Sequence, residues 1–424
     1  MIALTAFRPQ QPVSVPPAPA VMRRSGRRRR ILFAQLGPFS HTNEALRKQV
    51  AHHFGNHEVV VFDVKDEIRR RYDQIAANLL VSVATYGPSI LRSQADRHAY
   101  FFRTPYLFRK LSGIIRERFA EEADSFDFVL QTQGLFNAAL PGRPLFVYTD
   151  HTILSNREYA VQDERIFLSN EFLDLERDLY HRAEKVLVSV SHVQRTLTRE
   201  YGCDPDRVAT VFIGANVEPL PQAPDPRRHA AGKILFVGIE WEREGGPALL
   251  AAFERVAERF PEASLTIAGC APATSHPRIT TLGRVTRQDL VPHFAEASVF
   301  CMPSLVEPAG IAAVEAMAAG LPVVATEVGG LAEIVLPDRT GLLVPPNDPK
   351  ALGDALCAIL ANPDRARAMG QAGRARAMDL FRWDAVGTKL EREIQMSLAI
   401  RQASQMDLPA WERDFTRPFE APNG

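Results

Sequence analysis

The chain has 424 residues, of which 46% are hydrophobic and 24% are charged, and Lys+Arg and Asp+Glu both number 50. This length exceeds what one hydrophobic core organises, so two domains are expected in a globular protein of ordinary composition. The balanced charge gives no electrostatic reason to expect nucleic-acid binding. Four scattered cysteines without a CxxC pair predict neither a disulfide framework nor a zinc site, and they favour a reducing cytoplasm. No apolar run reaches the roughly 18 residues of a membrane span.

The N-terminal segment is rich in Pro, Ala, Val and Gln up to residue 22 and shows no periodicity. A basic run follows, with arginines at positions 23, 24 and 27 to 30. We therefore interpret residues 1–30 as a disordered basic tail. Two interpretations of its arginines stay open: a solvated flank before the first strand, or a contact with anionic lipid or phosphate.

The first half of the chain alternates short apolar runs with helical stretches, which predicts a doubly wound parallel sheet. The predicted strands are Ile31–Leu36, Glu58–Phe62, Phe126–Leu130, Leu145–Tyr148, Lys185–Val190 and Val208–Phe212. Proline-rich Val217–Gly232 predicts a linker. A second alternating unit follows, with strands at Lys233–Val237, Leu265–Ala268, Ala297–Met302, Pro322–Ala325 and Leu342–Val344.

The predicted fold is thus α/β, with two Rossmann-like, doubly wound domains facing a cleft. We assign residues 31–216 to the first domain and residues 217–394 to the second. The chain ends in helical stretches at Pro363–Asp379 and Trp383–Ala403. Segment 395–424 is expected to cross back to the first domain.

The stretch Ile90–Ala120 stands apart because aromatic and aliphatic residues interleave with arginines. One interpretation is an ordinary amphipathic helix whose arginines reach solvent past its apolar face. The other is a surface of the first domain that contacts a membrane or a lipid acceptor.

Two glutamates eight positions apart, Glu307 and Glu315, follow the predicted strand Ala297–Met302. Glu307 lies on a loop at the carboxyl end of that strand, where parallel α/β sheets bind ligands. A small-residue helix begins there, and its first N–H groups and Gly310 suit a phosphate. Carboxylates on both sides of a helix start match a nucleotide-sugar, which carries hydroxyls on both sides of its diphosphate.

The C-terminal half resembles the retaining glycosyltransferases of the GT-B fold, family 4. The resemblance is carried by Pro303-Ser304, the Glu307 to Glu315 motif, Leu321–Ala325, Gly329-Gly330 with Glu333, and Thr340–Val344. It implies transfer of a sugar from a UDP- or GDP-sugar to an acceptor hydroxyl with retention of configuration, without a metal or other cofactor. The first domain is then the acceptor domain and the second the donor domain. The implied acceptor is a glycan, a lipid-linked molecule or a small molecule.

The resemblance also implies roles for residues of the second domain. The first glutamate of the family motif contacts the donor sugar, so Glu307 is expected to be catalytic, and Glu315 receives the ribose hydroxyls. The backbone N–H groups of Ala309, Gly310 and Ile311 are expected to bind the diphosphate.

On the facing domain, family members carry a histidine near the reacting centre. The resemblance gives that role to His151, which follows the strand Leu145–Tyr148 with Asp150 beside it. Gly37 ends the first strand and is expected to lie over the donor phosphates. In the second domain, Arg284 and Val285 belong to a loop that holds the nucleobase through backbone groups.

The loop that starts at Gly238 departs from the family pattern. Family members usually present arginine and lysine there to the diphosphate, but this chain has Ile239 and Glu244 at those places. Arg243 is the candidate replacement for the missing cation. If Arg243 does not fill that role, Glu244 is expected to weaken donor binding by repulsion.

Other chemistries find less support. The sequence has no GxGxxG helix start and no P-loop, and Asp204-Pro205-Asp206 matches the metal-binding DxD pattern but predicts a turn. Ser191 opens a predicted helix and is a candidate N-cap. Three alternatives stay open: a non-catalytic relative that binds a nucleotide or glycan, a sugar-nucleotide epimerase, and an adaptor for lipid surfaces.

Overall fold

In the computed structural model, residues 29–160, 163–216 and 225–406 are described, and they contain two parallel six-stranded sheets. The first sheet has the order β2-β1-β3-β4-β5-β6 and the second the order β12-β11-β10-β7-β8-β9. The strands of the first sheet are β1 (Arg29–Gln35), β2 (His57–Asp63), β3 (Phe126–Thr132), β4 (Leu145–Thr149), β5 (Lys185–Val188) and β6 (Val208–Thr210). Those of the second are β7 (Lys233–Val237), β8 (Ser264–Ala268), β9 (Ile279–Gly283), β10 (Val299–Met302), β11 (Val323–Thr326) and β12 (Gly341–Val344).

Helices cover both faces of each sheet, and we call each sheet with its helices a lobe. The helices between strands of the first lobe are α1 (Thr42–His53), α2 (Val64–Ile68), α3 (Tyr72–Tyr86), α4 (Gln94–Phe101), α5 (Pro105–Phe119), α6 (Asn170–Arg182) and α7 (Ser191–Arg199). Those of the second lobe are α8 (Gly246–Arg259), α9 (Arg287–Glu296), α10 (Ile311–Ala318), α11 (Leu331–Ile334), α12 (Pro349–Leu360) and α13 (Pro363–Leu380). The last helix is α14 (Trp383–Met406).

These two doubly wound lobes confirm the predicted fold class. Each sheet reverses its strand order once, between β1 and β3 in the first lobe and between β7 and β10 in the second. Such a reversal opens a crevice at the carboxyl ends of the strands, where ligands bind. Glu307 follows β10 and Gly238 follows β7, so the strand order brings these two loops together.

Several predicted boundaries need correction. Arg29 and Arg30 belong to β1 and not to the tail, because Arg30 donates to Glu122 (2.9 Å) and lies over the ring of Phe126. The predicted strand Val208–Phe212 ends at residue 210, and Phe212 adopts a left-handed φ of 71° that a strand does not allow. Residues 1–28 and the part of the predicted linker from 217 to 224 lie outside the described residues.

The stretch Ile90–Ala120 forms α4 and α5, and its apolar side chains point into the first lobe. Leu107, Leu111 and Ile115 are fully buried, and they belong to one core cluster with Phe126 and Val129 of β3. This packing agrees with the ordinary amphipathic helix and not with a lipid-facing surface. Among the described helices, none combines the length and hydropathy that crossing a membrane requires.

The last helix, α14, packs on the first lobe, against α1 and β5. His53 Nδ1 lies 2.7 Å from Glu391 Oε2, and Lys185 Nζ donates to Glu393 Oε2 at 2.6 Å. The return begins at Trp383, ahead of the expected residue 395. The chain therefore passes between the lobes twice, and the two passages touch where Ala215 N–H donates to the carbonyl of Phe381 (2.9 Å).

Candidate functional site

Glu307 lies in the loop between β10 and α10, and its side chain is 8% exposed. Its Oε1 accepts the backbone N–H of Gly310 at 2.9 Å, and Ser304 Oγ lies 3.5 Å from its Oε2. Gly310 adopts a φ of 67°, a left-handed conformation that favours glycine at the start of α10. The N–H of Gly310 is therefore already bonded, contrary to the expectation that it is free to meet a phosphate.

The side chain of Arg243 joins the loop after β7 to Glu307. Its Nη1 lies 3.5 Å from Glu307 Oε2, and its Nη2 donates to Glu244 Oε1 at 2.9 Å. Its Nε donates to Glu240, and Nη1 also donates to the carbonyl of Val306. Burial opposes the charge on Arg243, but the three carboxylates raise its pKa above the ordinary value. Arg243 thus stays cationic beside Glu307.

Glu244, the unexpected acid, points into the protein and is 6% exposed. Besides Arg243, it accepts the backbone N–H of Glu240 at 3.0 Å. Burial raises the pKa of Glu244, and the charge of Arg243 opposes that shift. The carboxylate occupies the space beside Gly238, where any Cβ would overlap its Oε2. Glu244 therefore binds Arg243 instead of lining an open phosphate site.

The loop after β4 brings Asp150 and His151 from the first lobe towards this cluster. Burial raises the pKa of Asp150 to about 7, and the charge of Glu307 adds to the shift. Burial and then the charge of Arg103 lower the pKa of His151 to about 3. His151 is therefore neutral at pH 7, and its Nδ1 has no hydrogen-bond partner in the described protein.

Glu176 stabilises the loop that carries His151, and it was not identified from the sequence. Glu176 is 4% exposed, and its Oε2 accepts the N–H of Ile153 at 3.3 Å and the hydroxyl of Tyr201. The same hydroxyl accepts the N–H of Leu154 at 3.2 Å. Burial raises the pKa of Glu176 to about 7. The sequence feature that could have identified Glu176 is its place on the apolar face of α6, where Phe172 and Leu179 are also buried.

Direct contacts join the lobes beside this loop. The N–H and the hydroxyl of Ser191 both donate to Glu333 Oε2, at 2.6 and 2.8 Å. The N-cap of α7 is Val190, so the prediction of Ser191 as the N-cap was wrong. Tyr159 of the first lobe is 3% exposed and packs within the core cluster of the second lobe. Its ring centroid lies 6.1 Å from that of His151.

Glu315 lies inside α10 and faces the passages between the lobes. It is 8% exposed, and its Oε1 accepts the backbone N–H of Asn216 at 3.1 Å. Trp383 Nε1 donates to the side chain of Asn216 at 3.2 Å. Glu307 therefore lies in the loop before α10 and Glu315 lies inside that helix, and the ribose role of Glu315 stays a prediction.

The remaining predicted residues lie at strand ends. Gly37 follows β1 with a φ of 66°, and its N–H donates to Asp63 Oδ1 at 2.9 Å. Arg284 is exposed after β9, and Val285 packs against the core of the second lobe. The backbone of Ala309 and Ile311 lies at the start of α10.

The structure gives no support to the DxD pattern as a metal site. Asp204 Oδ1 accepts the N–H of Asp206 at 2.9 Å, which makes the segment a capped turn before β6. Within the described ranges, no group of three or more His, Cys, Asp or Glu residues could hold a metal ion.

Comparisons with known proteins agree with this architecture. The family model for glycosyl transferases group 1 matches residues 231–362. The alpha-maltose-1-phosphate synthase of Mycolicibacterium smegmatis is 34% identical over 245 residues, which cover 49% of this chain and 62% of that protein. The D-inositol 3-phosphate glycosyltransferase of Corynebacterium efficiens is 30% identical over 58% of this chain and 64% of its own length. This chain thus spans less than two thirds of these two relatives.

This chain covers a larger share of a third relative. The GDP-mannose-dependent alpha-(1-6)-phosphatidylinositol monomannoside mannosyltransferase of M. smegmatis is 32% identical over 51% of this chain and 69% of that protein.

Solved structures share the fold at low identity. The sucrose-phosphate synthase of Thermosynechococcus elongatus superposes with a TM-score of 0.63 at 20% identity, covering 88% of this chain and all of that one. Anabaena HepE, solved with UDP and glucose, gives 0.60 at 15% identity, covering 87% of this chain and 99% of that one. Both support the GT-B fold for the two lobes. The family model and the relative covered over 69% of its length show that this chain belongs to the glycosyl transferases group 1 family.

Proposed function

We propose that this protein transfers a sugar from a nucleotide-sugar donor to an acceptor hydroxyl, with retention of configuration. The observation that carries the proposal is the contact of Arg243 with Glu307 at the start of α10. It places a cation, a carboxylate and a helix N-terminus together at the strand-order reversal of the second sheet, where this class of sheet binds ligands. The first lobe brings His151 towards the same place.

Each group suits one part of the donor. Glu307 can accept hydrogen bonds from sugar hydroxyls, because an ionised carboxylate only accepts. Arg243 and the helix start stabilise negative charge on the leaving diphosphate as the bond to the sugar breaks. Neutral His151 can donate or accept a hydrogen bond at the sugar, since its Nδ1 has no hydrogen-bond partner among the residues that the structure describes. These groups supply charge stabilisation without requiring a metal.

Retention follows from the family resemblance. The acceptor hydroxyl attacks on the face that the diphosphate leaves, and a donor phosphate oxygen takes its proton. We assign the donor role to the second lobe, which ends with α13, and the acceptor role to the first lobe together with α14. Under this proposal, Arg284 and Val285 contact the base, and Gly37 lies over the phosphates.

The donor class that we propose is a UDP- or GDP-sugar. One relative is named for dependence on GDP-mannose, and one structural neighbour was solved with UDP and glucose. The acceptor is a glycan, a lipid-linked molecule or a small molecule; the named relatives include one that acts on a phosphatidylinositol mannoside.

A non-catalytic nucleotide- or glycan-binding protein is the second candidate, and one observation favours it. Glu240, Glu244 and Glu307 surround the single guanidinium of Arg243, so the cluster carries more carboxylates than cations. A diphosphate entering this cluster would meet repulsion from any carboxylate that Arg243 does not neutralise.

Release of nucleoside diphosphate from a panel of UDP- and GDP-sugars, with product identification, tests the proposal. Transfer by the wild-type protein and its loss in Glu307→Gln support a glycosyltransferase. The matched control is Glu242→Gln, since Glu242 is an exposed glutamate of the loop after β7. A changed sugar still attached to its nucleotide would indicate an epimerase, and nucleotide binding without turnover of any donor would indicate the second candidate.

A further inference from the structure

Helix α3 buries two polar residues and exposes three large apolar or aromatic ones. Asn78 and Ser82 are fully buried, whereas Tyr72 is 79% exposed, Leu80 is 73% exposed and Leu79 is 39% exposed. Soluble proteins usually place such residues the other way round. The outward apolar side chains form one stripe along the helix, because the exposed positions 72, 76, 79 and 80 recur at helical spacing.

The buried polar residues explain how the helix is attached. Asn78 Nδ2 donates to the carbonyl of Phe101 at 2.7 Å and its side-chain oxygen accepts the hydroxyl of Thr104. The hydroxyl of Tyr86 donates to the carbonyl of Arg103. These bonds fix α3 to the corner between α4 and α5, so the apolar stripe is not needed to hold the helix in place.

Positive charge lies at one end of the stripe. Arg69, Arg70 and Arg71 precede α3 directly, and the helix itself contains a single charged residue, Asp73. Within the described part of the chain, Arg69 pairs with Asp66 at 3.6 Å, while Arg70 and Arg71 form no ion pair.

A cationic cavity borders the same helix. The cavity is about 580 Å³ and lies between α3, α5 and the start of α6. Arg71, Arg109 and Lys110 line it, together with Glu117 and Glu171. Arg109 pairs with Glu171 at 2.6 Å. Of the other charged residues that line the cavity, Arg71 and Lys110 are cations and Glu117 is the acid, so positive charge is in excess.

We propose that the outward face of α3, with the arginines before it, docks on an anionic lipid surface. Tyr72, Leu79 and Leu80 would enter the interface between headgroups and acyl chains, and Arg70 and Arg71 would meet the anionic headgroups. A folded protein partner fits less well, since the stripe is a convex helix face and its charges all carry one sign apart from Asp73. The helix lies on the bilayer and does not span it. This docking is independent of the proposed transfer reaction.

Co-sedimentation of the full chain with vesicles tests the proposal. Vesicles of phosphatidylcholine with phosphatidylglycerol should bind the wild-type protein, and vesicles of phosphatidylcholine alone should bind it much less. Binding should weaken at high salt, because the headgroup contacts are screened. Leu80→Asp should reduce partitioning by at least about tenfold, the loss expected when a leucine no longer enters the interface. The double variant Arg70→Gln, Arg71→Gln should lose the preference for anionic vesicles.

Ile400→Asp is the matched control, since Ile400 is 65% exposed on α14, and it should bind vesicles as the wild type does. Arg70, Leu80 and Ile400 are exposed and Arg71 is half-buried, and melting temperatures equal to that of the wild type will show that the variants fold. Absence of wild-type binding to anionic vesicles overturns the proposal, as does equal loss in Ile400→Asp and Leu80→Asp. Wild-type self-association that Leu80→Asp abolishes, without any vesicle binding, overturns it too and makes the face a contact between copies.

Discussion

Arg243 Nη1 lies 3.5 Å from Glu307 Oε2, although the two residues follow different strands of the second sheet. The same guanidinium binds Glu244, the residue that stands where family members usually carry lysine. One side chain therefore pairs with the acid that interrupts the family pattern and provides the cation beside Glu307, for which we propose contact with the donor sugar.

Replacing Arg243 with alanine should lower the affinity for a nucleoside diphosphate at least about tenfold, because it removes the cation and leaves Glu244 unpaired. Titration calorimetry with UDP and GDP measures the change. Unchanged affinity in Arg243→Ala would exclude Arg243 as a phosphate ligand.

Glu244→Gln should have the opposite effect. The amide keeps the shape of the side chain but removes a negative charge, so Arg243 is more available to the diphosphate and affinity should rise. Glu242→Gln in the same loop provides the control for a general change of charge. A drop in affinity for Glu244→Gln alone would mean that its charge holds Arg243 in the binding geometry.

Glu307→Gln should reduce transfer by roughly a hundredfold or more while the protein stays folded. The side-chain oxygen of glutamine can still accept the N–H of Gly310, so the start of α10 is preserved. Steady-state kinetics and thermal unfolding of the same preparation check both halves of the prediction. Turnover equal to the wild type would remove Glu307 from the reaction.

Glu176 should make the protein less stable as the pH rises. Its pKa is raised from 4.5 to about 7 in the folded state, so between these values the native protein binds more protons than the unfolded chain. Its contribution to the free energy of unfolding therefore falls as the pH increases from about 4.5 to 7. Urea unfolding at pH 5 and pH 8 should show a smaller drop for Glu176→Gln than for the wild type. Equal drops in the free energy of unfolding would show that another group causes the pH dependence, and Asp150 would be the next group to test.

The contact of Ser191 with Glu333 should couple the lobes. We expect a coupling free energy of about 1 kcal/mol between Ser191→Ala and Glu333→Gln in a double-mutant cycle of unfolding. Additive effects would show that these hydrogen bonds do not couple the lobes.

The sequence was sufficient for the fold and for one half of the candidate site. Strands buried on both faces produce continuous apolar runs, and the helix start after β10 is marked by Gly310 and small residues. Glu307 could be proposed because it follows such a run. His151 follows one too, but its proposed role came from the family resemblance. Their neighbours could not be proposed, since Glu176 acts through Ile153 and Tyr201, which are distant in sequence.

Two further features depend on three-dimensional neighbours. Arg243 was a candidate cation, but its bond to Glu244 follows from the burial of that acid beside Gly238. The outward face of α3 was missed because its apolar residues look like core positions. The bonds of Asn78 to Phe101 and Thr104 show which side of the helix is buried.

The return of α14 to the first lobe has a mechanical consequence. The two passages of the chain between the lobes lie side by side, joined by the bond from Ala215 to Phe381. A rotation of one lobe about an axis through this contact is expected to strain the two passages least, so the contact is the natural hinge for opening the cleft. A proteolytic cut between α13 and α14 leaves the lobes covalently joined through the first passage. A cut in the first passage leaves them held by non-covalent contacts, including the packing of α14 on the first lobe.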